Sequence, residues 1–72
     1  MIIFTRHATL KLSQRKIGKN LVIKTLKNPD KIIPTYGGRM VAFKKFRRLH
    51  FKVVFRRKIN DVIVITQYWV DK

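Results

Sequence analysis

Leu49-His50-Phe51-Lys52-Val53-Val54-Phe55-Arg56-Arg57 is the stretch that decides the fold. Leu49, Phe51, Val53 and Phe55 alternate with His50, Lys52, Val54 and Arg56, the period-two pattern of a strand with one buried face. Such a strand belongs in an antiparallel sheet packed on one side. Its other face is expected to carry basic side chains. Upstream, Arg39 to Phe46 reads as the neighbouring strand, turned by Arg47-Arg48 without the usual Gly or Asn. Downstream, Asn60-Asp61 is the expected turn and Val62 to Val70 the last strand. That strand is apolar on both faces, which suggests a central position. Gly37-Gly38 signals a hairpin, and Pro34 limits Lys31 to Tyr36 to an edge or a short arm.

The first third of the chain has a different period. Ile2 to Phe4 reads as a short strand, and Thr5 as the N-cap of a helix from about Arg6 to Lys16. Ala8 and Leu12 form its buried stripe, and Gly18 is expected to break it. A second helix, Lys19 to Lys27, buries Val22 and Leu26 and stops at Asn28-Pro29, because a residue before proline avoids the α region. Lys19 in its first turn opposes the helix dipole. The expected class is α+β, in the order β-α-α-β-β-β, with both helices on one face of an antiparallel sheet. The chain has 72 residues, so one domain over 1–72 is expected. A domain this small buries only about 60% of the surface its unfolded chain exposes.

Charge is the strongest compositional signal. Eighteen Lys and Arg face three Asp and no Glu, a net charge of +15. Self-repulsion on that scale opposes folding, and a phosphate backbone would relieve it while releasing counterions. The expected partner is a polyanion, RNA before DNA, with ribosome-bound mRNA among the forms it can take. An anionic membrane is not expected, because the cations are spread over strands instead of one amphipathic helix. No apolar run approaches the length of a membrane span, and Met1 to His7 lacks the pattern of a signal peptide. A cytoplasmic protein is the expectation. With no cysteine, neither disulfides nor thiolate metal sites are open to it.

Half of the basic residues lie between Arg39 and Lys58: Arg39, Lys44, Lys45, Arg47, Arg48, Lys52, Arg56, Arg57 and Lys58. Together with His50 these are the candidate nucleic-acid contacts. Alternate residues on a strand stand roughly 6.5–7 Å apart, so His50, Lys52 and Arg56 are spaced to follow a phosphate backbone. Tyr36, Phe43, Tyr68 and Trp69 are interleaved, and an exposed ring can stack on a base. Phe43 is expected in the core; Tyr68 is open between core and surface. His7, Lys11 and Arg15 recur every four residues and make one ridge on the first helix. On spacing alone, a solvated helix face is the commoner account of such a ridge. As a site, His7 would move a proton, and Lys11 and Arg15 would hold phosphate charge. Asp30, Asp61 and Asp71 sit at turn or terminal positions, so no carboxylate cluster for magnesium is expected, and no cofactor. Metal-free RNA cleavage remains chemically open, since the 2′-hydroxyl is a built-in nucleophile that needs alignment, proton transfer and cations.

These residues also carry a resemblance. Phe4-Thr5-Arg6-His7-Ala8, then Lys11, Gln14-Arg15, Ile17 and Asn28-Pro29-Asp30, resemble the opening of a small uncharacterised prokaryotic family. Its members begin F-T-x-H-A, with basic residues four and eight positions after the His. Gly37 to Lys45, Val53 to Arg56 and Val62 to Tyr68 resemble its middle and end. The family is similar to the RelE/ParE toxin group, within a wider set of ribonuclease folds that includes barnase and colicin-type enzymes. The resemblance implies a metal-independent endoribonuclease, the toxin of a toxin–antitoxin pair, with an acidic antitoxin partner. Carried over by position, it implies His7, Lys11, Arg15, Arg56 and Thr66 or Tyr68 as site residues; Arg39 matches a position of unassigned role. Lys11 stands where Arg is usual, and Leu10 and Lys19 replace positions that are often acidic. Two rival expectations stand beside it: a non-catalytic nucleic-acid-binding module on the same sheet face, and an interaction protein whose charge serves an acidic protein partner.

Overall fold

The alternation at Leu49–Arg57 becomes a ten-residue strand, β4 (Leu49–Lys58), in the middle of a five-stranded sheet. The computed structural model describes residues 1–71. The elements run β1 (Ile2–Phe4), α1 (Arg6–Arg15), α2 (Lys19–Lys27), β2 (Lys31–Pro34), β3 (Met40–Phe46), β4 and β5 (Asp61–Asp71), with a 3₁₀ turn at Tyr36–Gly38. The α+β class holds, as does the order of a strand and two helices followed by antiparallel strands, of which there are four. The sheet order is β1-β5-β4-β3-β2. Strands β2 to β5 pair antiparallel, and β1 adds to β5 in parallel.

Both helices lie on one face. Ala8 and Leu12 of α1 and Val22 of α2 meet Ala42, Phe51, Val53, Phe55 and Val64 of the sheet. Phe51 and Phe55 are the largest of these side chains. Thr5 caps α1 as expected, its hydroxyl accepting from the Ala8 N–H at 3.1 Å. The chain leaves α1 at Lys16, in the left-handed region with φ 54°, and not at Gly18, whose φ of −80° any residue could adopt. In α2 the buried pair is Val22 and Thr25 instead of Val22 and Leu26; Leu26 is half-buried against the core. Thr25 tolerates full burial because its hydroxyl donates to the Leu21 carbonyl at 2.9 Å.

The β4–β5 turn is Ile59-Asn60, one residue earlier than expected, because Lys58 pairs with Asp61. This places Ile59, at φ 53°, in a region a β-branched residue rarely enters. Arg47 likewise has φ 55° in the β3–β4 turn. Gly37 and Gly38, at φ 67° and 75°, make the β2–β3 connection where glycine carries no steric cost.

Two irregularities shape β5. Strand β1 is only three residues long, so β5 has a neighbour on that side only as far as Val64. The expected central position therefore holds for its first half only. Val54 faces Thr66 and Phe55 faces Val64, leaving Ile65 as an extra residue, a β-bulge. Among the described residues no helix is long and apolar enough to cross a membrane.

Candidate nucleic-acid interface

The strand register fixes which side chains share the helix-free face. On β4, Phe51, Val53 and Phe55 are buried against the helices, so His50, Lys52, Val54 and Arg56 point the other way. Their cross-strand partners follow. Lys45 and Val70 flank His50; Phe43 and Tyr68 flank Lys52; Val41 and Thr66 flank Val54; Ile63 faces Arg56. Strand β2 extends these rows with Lys31 opposite Phe43 and Ile33 opposite Val41.

One row alternates in chemistry from edge to edge: Lys31, Phe43, Lys52, Tyr68. The Lys31 and Lys52 ammoniums lie 5.2 and 4.9 Å from the Phe43 ring centre, one from the strand on each side. Arg15 completes the row from the helix layer. It reaches around the half of β5 that β1 leaves bare, donates to the Gln67 carbonyl at 2.7 Å and to Thr66 Oγ1 at 3.4 Å, and sets its guanidinium 5.8 Å from the Tyr68 ring centre. Phe43, expected in the core, is thus half-buried on the open face; Ala42 takes the core position beside it. Tyr68 reaches this face because the bulge at Ile65 inverts the alternation of everything after it.

Two depressions flank the middle of the face. One, about 410 Å³, is lined by Asp30, Lys31, Phe43, Lys44, Lys45, His50, Lys52 and Val70. The Asp30 carboxylate accepts from the Lys45 backbone N–H at 2.8 Å, a turn-fixing role. The other, about 560 Å³, is lined by Thr5, Arg39, Arg56, Arg57, Lys58, Ile63 and Ile65. Between them runs an uncharged strip of Ile33, Val41, Val54 and Thr66. The face is therefore two cationic zones around an apolar one, and not the uniformly basic surface that alternation alone implies.

Residues 4–69 match the model of a family described as a domain of unknown function, DUF4258. The chain belongs to the DUF4258 family. No curated protein and no solved structure shows a significant match to this DUF4258 domain.

The candidate residues fall into separate groups in the DUF4258 fold. Arg15, Thr66 and Tyr68 are in contact. Arg56 shares the second depression with Arg39; it stands four residues along β4 from Lys52, about 13 Å. His7 is exposed in the first turn of α1, eight residues or about 12 Å of helix from Arg15. Lys11 is half-buried and donates to Gln14 Oε1 at 3.0 Å. Lys44 alternates to the helix side, donating to the Asn28 carbonyl at 2.9 Å. Arg57 stacks on the Phe55 ring at 5.6 Å, and Arg47 and Arg48 are exposed in their turn. Among the described residues no three His, Cys, Asp or Glu lie together where a metal ion could be held.

Sequence reasoning missed Lys31 and the role of Phe43. Their signal is a cross-strand row, and a row becomes visible only when the register of β2 on β3 is known.

Proposed function

We propose that this DUF4258 domain binds RNA on its helix-free sheet face. The observation that supports it is the row Lys31, Phe43, Lys52, Tyr68, Arg15, which sets cations and aromatic faces alternately across the sheet. Cations hold phosphates, and exposed rings hold bases without regard to sequence. The net charge of +15 supplies the long-range attraction.

The test separates this face from mere charge. Lys45→Glu with Lys52→Glu removes two cations from the face; Lys24→Glu with Lys27→Glu changes net charge equally on exposed α2. The first pair is expected to weaken RNA binding about a hundredfold at moderate salt and the second much less. Equal losses would make the attraction non-specific and defeat the reading.

Cleavage of that RNA without metal, in the manner of the RelE/ParE group, is a second reading. The order of β-α-α followed by antiparallel strands agrees with it, and the contact of Arg15, Thr66 and Tyr68 favours it. A guanidinium fixed by two oxygens is pre-positioned for a phosphate, and the adjacent phenol is a proton donor or acceptor. The separation of His7 and Arg56 from that group favours binding alone. Incubating a long RNA in EDTA with wild type, Arg15→Ala and Tyr68→Phe decides between the two. Cleavage by wild type that both variants lose, while still binding, supports the enzyme. Binding without cleavage, on free RNA and on translating ribosomes, leaves a binding protein.

A further inference from the structure

We infer that the RNA bound here is an unpaired strand, seated with bases on Phe43, Tyr68 and the uncharged strip, and with phosphates on the cationic zones either side. The inference rests on the RNA-binding reading and adds the form of RNA and its seating.

Three observations carry it. First, Phe43 and Tyr68 stand on the same row with one strand between them, about 9.5 Å apart at the backbone. Each places its ring on the open side of the sheet, Phe43 against the Lys31 and Lys52 ammoniums and Tyr68 against Arg15. A base inside a duplex is stacked above and below and has no face to give; an unpaired base has. Second, the strip of Val41 and Val54 lies between Lys52 on one side and Arg56 on the other, along the same strand. A duplex resting on this face would set phosphates on the strip, where nothing replaces their water. An unpaired strand sets its bases there instead. Third, the Phe43 ring is covered in the free protein by the ammoniums of Lys31 and Lys52. Both are long, flexible cations that can exchange the ring for a phosphate as a base takes their place. The ring is held ready for a base without being left to water.

The test measures polarisation of a short labelled oligouridine and of a blunt RNA duplex of the same length, at physiological salt. Phe43→Leu keeps the apolar bulk and removes the π face. The unpaired strand is expected to bind wild type about tenfold more tightly than the duplex, and Phe43→Leu to abolish about that advantage while leaving duplex binding unchanged. Lys58→Gln, off the row, is expected to lower both equally. A duplex that binds as tightly as the single strand, or a Phe43→Leu loss equal on both, overturns the inference while RNA binding stands. Failure of both ligands to bind overturns the RNA reading itself. Ultraviolet cross-linking of 5-iodouridine RNA to wild type gives a check free of folding effects. Adducts at Phe43 or Tyr68 support the seating, and adducts only elsewhere overturn it.

Discussion

Gln67 is fully buried, yet only half satisfied. Its Nε2 donates to the Ala8 carbonyl at 2.9 Å, while its Oε1 has no partner. The helix already supplies a donor to a carbonyl in its interior, so removing the amide orphans nothing. Gln67→Leu is therefore expected to leave the melting temperature unchanged or raise it. Gln67→Ala instead opens a cavity and is expected to cost about 2–4 kcal/mol. Denaturant titration of the two variants checks the pair; a large loss with Leu would mean that Oε1 also accepts a hydrogen bond in the folded protein. Arg15 is the opposite case. Both of its hydrogen bonds run from Nη1 to oxygens of β5, and its guanidinium stands 5.8 Å from the Tyr68 ring centre.

Among the elements, the bulge in β5 has the widest effect. Val64 and Gln67 both face the helices although three positions apart, and Thr66 and Tyr68 face outward as a result. Thr5 pins this irregularity: its N–H donates to the Val64 carbonyl at 3.1 Å and its hydroxyl to the Ile65 carbonyl at 3.3 Å, besides capping α1. Thr5→Ala is expected to cost about 1–2 kcal/mol and to weaken RNA binding by loosening Tyr68, read by thermal melts and polarisation together. The Ile59 turn is a cost of the opposite sign. Ile59 is 94% exposed and left-handed, so Ile59→Gly is expected to stabilise by about 1 kcal/mol, or 4–8 °C in melting temperature for a domain this size. These elements also show how far sequence reading reaches. Thr5, the alternation of β4 and the Asn28-Pro29 stop are local signals, and each was legible. The face of Tyr68 was not, since a bulge shifts parity without a residue type that announces it. Phe43 misled because an aromatic in an apolar run resembles a core residue until its neighbours are known to be lysines. Lys16 and Ile59 show the chain accepting left-handed backbone where glycine would be expected, so the turns moved by a residue or two.

For the whole molecule, a charge of +15 is confined within a radius of gyration of 11.3 Å. With a Debye length of about 10 Å at 0.1 M salt, cations on a molecule this small repel one another across it at low salt and are largely screened at physiological salt. Raising salt from low to physiological is expected to raise the melting temperature by several degrees, and a saturating polyanion to raise it further by linkage. A flat response in scanning fluorimetry would mean that the repulsion is already compensated within the fold. The parallel pairing of β1 with β5 has a consequence in time. Ile2 pairs with Val62, 60 positions later, so the sheet closes through its most distant contact in sequence. Synthesis proceeds from the N-terminus, and β1 and α1 emerge long before the strand they dock on. Arg15 has no Gln67 carbonyl to hold, and Phe43 no completed row, until β5 has cleared the exit tunnel. A nascent copy still tethered to its message therefore lacks the surface described here. The finished face comes into being only after translation has passed β5, so on the RNA-binding reading proposed above a growing chain would not engage the RNA that encodes it.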